Sequence, residues 1–320
     1  MGAISIGTLT DLEKSSYVRE GLEIAKPNLI YQQFGQGDRV EKREGKTRQW
    51  FRMTKPGLAR GTSDFSTTVY QYVKNTTGAS PTWTPATPAD TTITAQVDFL
   101  FGQGHEWNEG VQYTSLADLP KELRVLNAQH ASEAIEQEVI IVLKAGTTVG
   151  YGNAKASRGL LDSADTIDMN DIFASVTTLR NNDAKPIKGH FRALCSANVI
   201  EQMMKDTAFQ NAIQFQKDYI FTGTIAELFG VGFQFSSMAP TVASSGSNNA
   251  LSYVEQTIIV AENSYGISRW MLNDYDLVYT EPGGWGDEWK NRHALTWKYA
   301  FKSVILNQNW MLRLETARAQ

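Results

Sequence analysis

The stretch NRHALTWKYAFKSVILNQNWMLRLE, residues 291–315, limits the possible folds of this chain more than any other. Leu295, Trp297, Tyr299 and Phe301 share one parity, while Thr296, Lys298, Ala300 and Lys302 take the other. Side chains of a strand alternate between faces, so the pattern predicts a strand with four bulky apolar groups on one side. Only a second layer can cover such a face. The apolar parity then flips to Val304 and Leu306, as across a bulge or turn, before Trp310, Leu312 and Leu314 resume the alternation. The whole segment reads as sheet wall. Just upstream, Asp287 and Glu288 stand beside Trp285, Trp289 and His293, a mixture of carboxylates and aromatic platforms that invites a glycosidase reading. Adjacent residues diverge, however, and glycoside hydrolysis needs two carboxyl groups facing each other across a bond, so a structural loop is expected here.

The period changes from 2 to 3.6 in the middle of the chain. Leu119, Leu123, Leu126, Ile135, Val139 and Val142 recur at helical spacing, with polar Gln129 and His130 between them. Asp118 is placed to cap this helix, Pro120 sits in its first turn, and Gly146 marks its end. About 26 residues at 1.5 Å each would span about 40 Å, a spine rather than an ordinary helix. Asp168 is expected to cap a second helix carrying Ile172, Phe173, Val176 and Leu179 on one face. HFRALC then reads as a strand, SANVIEQMMKD as a helix capped by Ser196, GTIAELFG as a helix-sized run, and Val231, Phe233 and Phe235 as a short strand. YVEQTIIV has the continuous apolar character of a buried strand.

The first third is different. Residues 1–37 are polar, glycine-containing and weakly periodic, and read as an extended arm. Residues 38–61 hold eight Lys or Arg against three Asp or Glu, which suits either a solvated hairpin flank or an intersubunit charge patch. DFSTTVYQYVK puts bulk on both faces, with Tyr70 and Tyr72 opposite Phe65, Val69 and Val73. TTITAQVDFLF places Ile93, Ala95, Val97, Phe99 and Phe101 on one side. The intervening NTTGASPTWTPATPAD is too rich in Thr and Pro for a central strand. Residues 38–104 thus form a long β excursion with little of its own to bury.

Several chemistries fail on inspection. GKT at 45–47 has Val40 where a phosphate-binding loop needs glycine. HEWNE at 105–109 has Glu109 where a zinc protease needs its second histidine. No G-x-S-x-G elbow occurs, and the four histidines lie in different elements. The single cysteine, Cys195, sits in an apolar run and reads as a core residue. No cofactor or metal is expected. Thirty basic against 34 acidic residues give a net charge of −4, which argues against a dedicated grip on phosphate backbones. The sequence shows neither a secretory signal nor a long apolar run, so a cytoplasmic fold without a membrane is expected.

The order of arm, long β excursion, spine helix, α/β layer and closing aromatic strands resembles the major capsid proteins of tailed phages, the Hong Kong ninety-seven-type shell fold, and within them the N-four-type branch. NDIFASVTTLRNNDAKPIKGHFRALCSANVIEQM, GTIAELFGVGFQFSS, TIIVAENSYGIS and NRHALTWKYAFKSVILNQNWMLRLE carry the likeness, and the first half matches in architecture alone. The resemblance implies an α+β fold with an N-terminal arm at 1–37 and an extended β loop at 38–104. It further implies a peripheral domain at 105–180 and 263–320, holding the closing strands, and an axial domain at 181–262.

The same resemblance implies a non-enzymatic shell subunit that assembles into pentamers and hexamers around double-stranded DNA, in a virion head built in the host cytoplasm. Scaffolding, portal and decoration proteins would be partners, with DNA a non-specific neighbour. Candidate intersubunit contacts are Arg39, Lys42, Arg43, Lys46, Arg48, Arg52, Tyr70, Tyr72, Phe99 and Phe101, and Trp297, Tyr299 and Phe301 would form the peripheral sheet core. Two alternatives stay open: a nanocompartment shell of the same fold, and a Trp-rich carbohydrate-active protein.

Overall fold

The computed structural model describes residues 29–40, 46–54, 89–102, 104–115, 119–213, 227–243, 253–269, 276–283, 287 and 289–318. It is a mixed α+β fold built around two sheets and one long helix.

The first sheet is organised on β14 (Arg292–Ile305), the strand predicted from the aromatic alternation. Along its length it pairs with β12 (Tyr265–Arg269), β13 (Asp276–Thr280), β4 (Asp98–Phe101) and β5 (His105–Asn108), all antiparallel. The strand β1 (Gln36–Arg39) joins the outer edge of β12 in parallel. Leu295, Trp297, Tyr299 and Phe301 are all buried on one face. The expected bulge does not occur, since β14 runs unbroken through Val304 and stays in register with β12 to Ile305. The parity flip has another cause. Ala300 on the opposite face is buried against Val40 and Val97, so both faces of this stretch are covered and apolar residues are tolerated on either.

The helix α2 (Leu119–Leu143) follows the short α1 (Glu109–Thr114) and lies across the inner face of the first sheet. Its 25 residues span about 38 Å at 1.5 Å per residue. Leu123, Ala131, Ile135, Val139 and Leu143 are buried along it, and Asn127 donates its side-chain amide to the Leu295 carbonyl at 3.2 Å.

The second sheet has the order β6 (Val149–Tyr151), β15 (Met311–Ala317), β11 (Tyr253–Val260), β7 (Phe191–Cys195), β9 (Val231–Phe235) and β8 (Glu227–Leu228), with β10 (Thr241–Ala243) on β11. The closing strands are therefore not one pair: β14 belongs to the first sheet and β15 to the second. The chain changes sheet through a 3₁₀ turn at Gln308–Trp310, tied back where Leu306 and Asn307 donate their N–H groups to the Ser264 carbonyl.

On one face the second sheet packs against α3 (Met169–Asn181), α4 (Ala197–Lys205) and α5 (Thr207–Ile213), burying Ala193, Cys195, Ile259 and Leu312 with Ile172, Val176, Leu179 and Val199. The alternate residues Leu194, Ile258, Val260 and Met311 face the other way, into a core shared with α2 and the first sheet. Asp168 caps α3 reciprocally, accepting from the Asp171 N–H while Asp171 accepts from its own, and Ser196 caps α4. Phe173 departs from the expected helix face: it is exposed and its ring lies 4.3 Å from that of Phe229. The helix expected at GTIAELFG is corrected over its described residues. Glu227–Leu228 is a strand, turned into β9 by Phe229 and Gly230, whose positive φ angles of 51° and 79° make the two-residue turn that matches strand twist.

Candidate intersubunit surface

β2 (Thr47–Thr54) and β3 (Ala89–Gln96) form a two-stranded antiparallel ribbon, with Trp50 opposite Ile93 and Arg48 opposite Ala95. One face of this ribbon rests on the first sheet. The Trp50 ring sits 3.0 Å from where a side chain on Gly266 would begin, a tight approach that places the ring directly over this glycine. Where the ribbon ends, Val97 packs with Val40 and Ala300, and its N–H donates to the Lys46 carbonyl at 2.9 Å. The other face is uncovered: Phe51 is 71% and Met53 79% exposed. A polar strand residue lies across from each, Thr92 and Asp90 respectively.

The aromatic pair on β4 is a second apolar feature of the surface. Phe99 pairs in register with Ala300 and Phe101 with Lys298, so both lie on the outer face of the first sheet, as does Val97. The face expected to carry Ile93, Ala95, Val97, Phe99 and Phe101 is divided: Ile93 and Ala95 lie on β3 of the ribbon, Phe99 and Phe101 on β4 of the first sheet, and Ala95 and Val97 are the buried members. Phe99 is 43% and Phe101 75% exposed, with ring centroids 6.0 Å apart. Leu100 points inward to the core with Tyr299. Two ion pairs border the aromatic pair, Lys302 to Asp98 at 3.5 Å and Lys298 to Asp276 at 3.4 Å.

Of the basic candidates, Arg48 is engaged within the chain, its guanidinium 2.5 Å from the Asp38 carboxylate. Arg39, Lys46 and Arg52 are exposed. Lys42, Arg43, Tyr70 and Tyr72 lie outside the described residues. Trp297, Tyr299 and Phe301 are on the inner face of β14, where the Trp297 indole N–H donates to His130 Nδ1 at 3.0 Å and the Tyr299 and Phe301 rings stack at 5.7 Å. Sequence reading misses Phe51 and Met53, which lie inside a segment that stands out for its charge. The alternation W-F-R-M is the signal that could find them.

The Trp-rich turn is built as a clamp. Asp287 accepts from the N–H groups of Gly283, Asn291 and Arg292 at 3.1, 2.9 and 3.0 Å. These bonds, led by that from Asn291, hold its carboxyl below the ordinary range. Such a carboxylate is committed to the backbone and is a poor proton donor. His293 faces elsewhere, stacked 5.4 Å from Trp107 and 2.6 Å from the Tyr279 hydroxyl. HEWN forms the strand β5, with Glu109 opening α1, so the motif lies on no single helix. Among the described residues, no group of three His, Cys, Asp or Glu side chains is placed to hold a metal, and no helix is long and apolar enough to cross a membrane. Cys195 is free and buried, and burial pushes its thiol up to about 12.

No family model matches the chain, and no curated protein matches it in sequence. Solved structures do. A chain of the cyanophage Pam1 capsid superposes with a TM-score of 0.69 at 12% identity, covering 97% of this chain and 98% of that one. The capsid of Ralstonia phage GP4 gives 0.69 at 11% identity, over 100% and 99%. The head of Helicobacter pylori bacteriophage KHP40 gives 0.68 at 8% identity, over 98% of each chain. The fold of this chain is the phage capsid fold, along essentially its whole length.

Proposed function

We propose that the chain is the major capsid subunit of a tailed phage, a structural protein that assembles into pentamers and hexamers of an icosahedral head around double-stranded DNA. The observation that carries the reading is coverage: 97% or more of this chain and of the Pam1, GP4 and KHP40 chains superpose. The first sheet with α2 corresponds to the peripheral domain. The second sheet with α3 to α5 corresponds to the axial domain, and takes in β6, α3 and β15 in addition to residues 181–262. Residues 38–104 act between subunits.

Physical support comes from the exposed apolar side chains of Phe51, Met53 and Phe101. Full burial of one such side chain contributes about 1.5 to 3 kcal/mol. A two-stranded ribbon is marginal alone in water, and repetition of one contact around a closed ring multiplies its effect. Exposed Arg39, Lys46 and Arg52 on an otherwise acidic chain would orient neighbours. The subunit would be assembled in a host cytoplasm, with scaffolding, portal and decoration proteins as partners and DNA as a non-specific neighbour.

The test is electron microscopy of purified protein, with and without residues 57–86. Thr54 and Ala89 are register partners, so a short Asn-Gly turn can close the ribbon in the deletion. Closed shells from the intact chain and folded, unassembled subunits from the deletion are expected. An intact chain that stays monomeric, or normal shells from the deletion, would refute the proposal or its assignment of this segment. Nuclease-protected DNA inside shells isolated from the producing cell, rather than a protein cargo, separates the head from a nanocompartment.

A further inference from the structure

Residues 29–40 lie where the first sheet, the second sheet and α2 meet. Ile30 and Tyr31 are buried in the core that contains Ile135 and Val139 of α2, Tyr299 of the first sheet, and Leu194 and Ile258 of the second. Each body also holds the segment by a polar contact. From α2, the buried Glu136 accepts the Tyr31 N–H at 2.6 Å. From β12, the Tyr265 hydroxyl donates to the Tyr31 carbonyl at 2.5 Å. From β7, the Arg192 guanidinium stands 5.8 Å over the Phe34 ring. Beyond these contacts Gly35 is pressed against β12, where a side chain would begin 2.6 Å from the Tyr265 ring, and β1 then adds to the sheet edge.

We infer that residues 29–40 are a strap that fixes the angle between the two sheets, and that Glu136 is its latch. A carboxylate in the middle of a helix and fully buried is costly unless hydrogen bonds replace its water. Burial does push the Glu136 carboxyl up, opposed by the N–H groups of Tyr31, Ile30 and Gln32. Its hydrogen-bonded partner is thus the backbone of the strap, where the Tyr31 N–H donates to Oε1, and an apolar residue at 136 would suit the core of α2 better in every other respect. The polar group is explained by what it holds. Without it, the buried N–H of Tyr31 loses its acceptor, and an unsatisfied buried donor is expelled toward water.

The strap is a property of the isolated subunit, so its test does not depend on assembly. Spin labels at Lys302→Cys on β14 and at Lys185→Cys, in the connection from α3 to β7 whose carbonyl accepts the Glu262 N–H beyond β11, report on the first and second sheets, both sites being exposed. Cys195, buried with its thiol pushed up to about 12, stays unlabelled. In Glu136→Ala, amide exchange across residues 29–36 should rise at least a hundredfold, and the width of the inter-label distance distribution should at least double. Amides of β11 and β15 should keep their protection to within threefold. Unchanged exchange in the strap, an unchanged distance distribution, or loss of protection in strap and sheets together would each overturn the inference. Tyr265→Phe keeps the ring and removes only the bond to the strap. It should raise exchange at residues 29–36 about tenfold, and decides the matter alone if Glu136→Ala does not fold.

Discussion

Gly102→Ala tests how closely the inner face of β14 is packed. A methyl group at residue 102 would be built inside the Trp297 indole, overlapping Nε1, Cε2 and Cδ1. The glycine cannot step aside. Its N–H donates to the Trp297 carbonyl at 2.9 Å, and its own carbonyl accepts from the Thr296 hydroxyl at 2.8 Å. The indole must move instead, which forces overpacking at about 1 to 3 kcal/mol and breaks the bond from Nε1 to His130, at about 0.5 to 1.5 kcal/mol. A loss of about 2 to 4 kcal/mol is expected. Urea titration of unassembled subunits, followed by circular dichroism, should show the midpoint falling at unchanged slope. Trp297→Leu alone should cost about 3 kcal/mol through the cavity it leaves, and in that background Gly102→Ala should cost at least about 1 kcal/mol less than in the parent. A Gly102→Ala variant within about 0.5 kcal/mol of the parent, or costs that simply add, would refute this account of the packing.

Phe51→Ser with Met53→Ser should leave subunit stability within about 0.5 kcal/mol, since both side chains are exposed, yet abolish closed shells in sedimentation and electron microscopy. Asp171 is buried beside Asp168, and burial first and that neighbour second raise its pKa from 3.8 to about 7. The folded state therefore holds this proton more tightly than the unfolded chain, and stability should fall by about 2 to 4 kcal/mol as pH rises from about 4 through 7; Asp171→Asn should flatten that slope in urea titrations. Glu315 behaves oppositely. Burial alone would raise its pKa, but hydrogen bonds from Arg158 at 2.5 and 2.7 Å and from Gln256 at 2.9 Å bring it below the ordinary value, so its contribution is lost as pH falls through the acid range. Arg158→Ala should cost about 3 kcal/mol by leaving that buried charge short of its main partner. Asp287→Ala should speed amide exchange at Asn291 and Arg292 about tenfold, and assays of parent and variant on glycosides are expected to show no turnover in either.

Elements whose signal is local were legible in the sequence. The period of the aromatic residues in β14, the spacing along α2, the caps Asp168 and Ser196, and the continuous apolar run of β11 each depend on neighbours within a turn or a pleat, and a linear reading captures them. Sheet membership was not legible. Whether β14 and β15 pair is decided by which strands lie between them, and the 3₁₀ turn at Gln308–Trp310 that sends the chain to the other sheet has no periodicity to betray it. The same limit explains the apparent parity flip after Phe301. Alternation records a face that is covered or bare, whereas Val40 and Val97 arrive from more than 200 residues earlier in the chain to cover the second face. Nor could the sequence distinguish Phe173, on a helix and exposed, from Ile172 beside it and buried. Glu136 is the sharpest case. Along the chain it is one more polar residue in a helix, and only the tertiary structure brings the backbone of residue 31 to within 2.6 Å, because a hydrogen bond across 105 residues leaves no trace in local spacing.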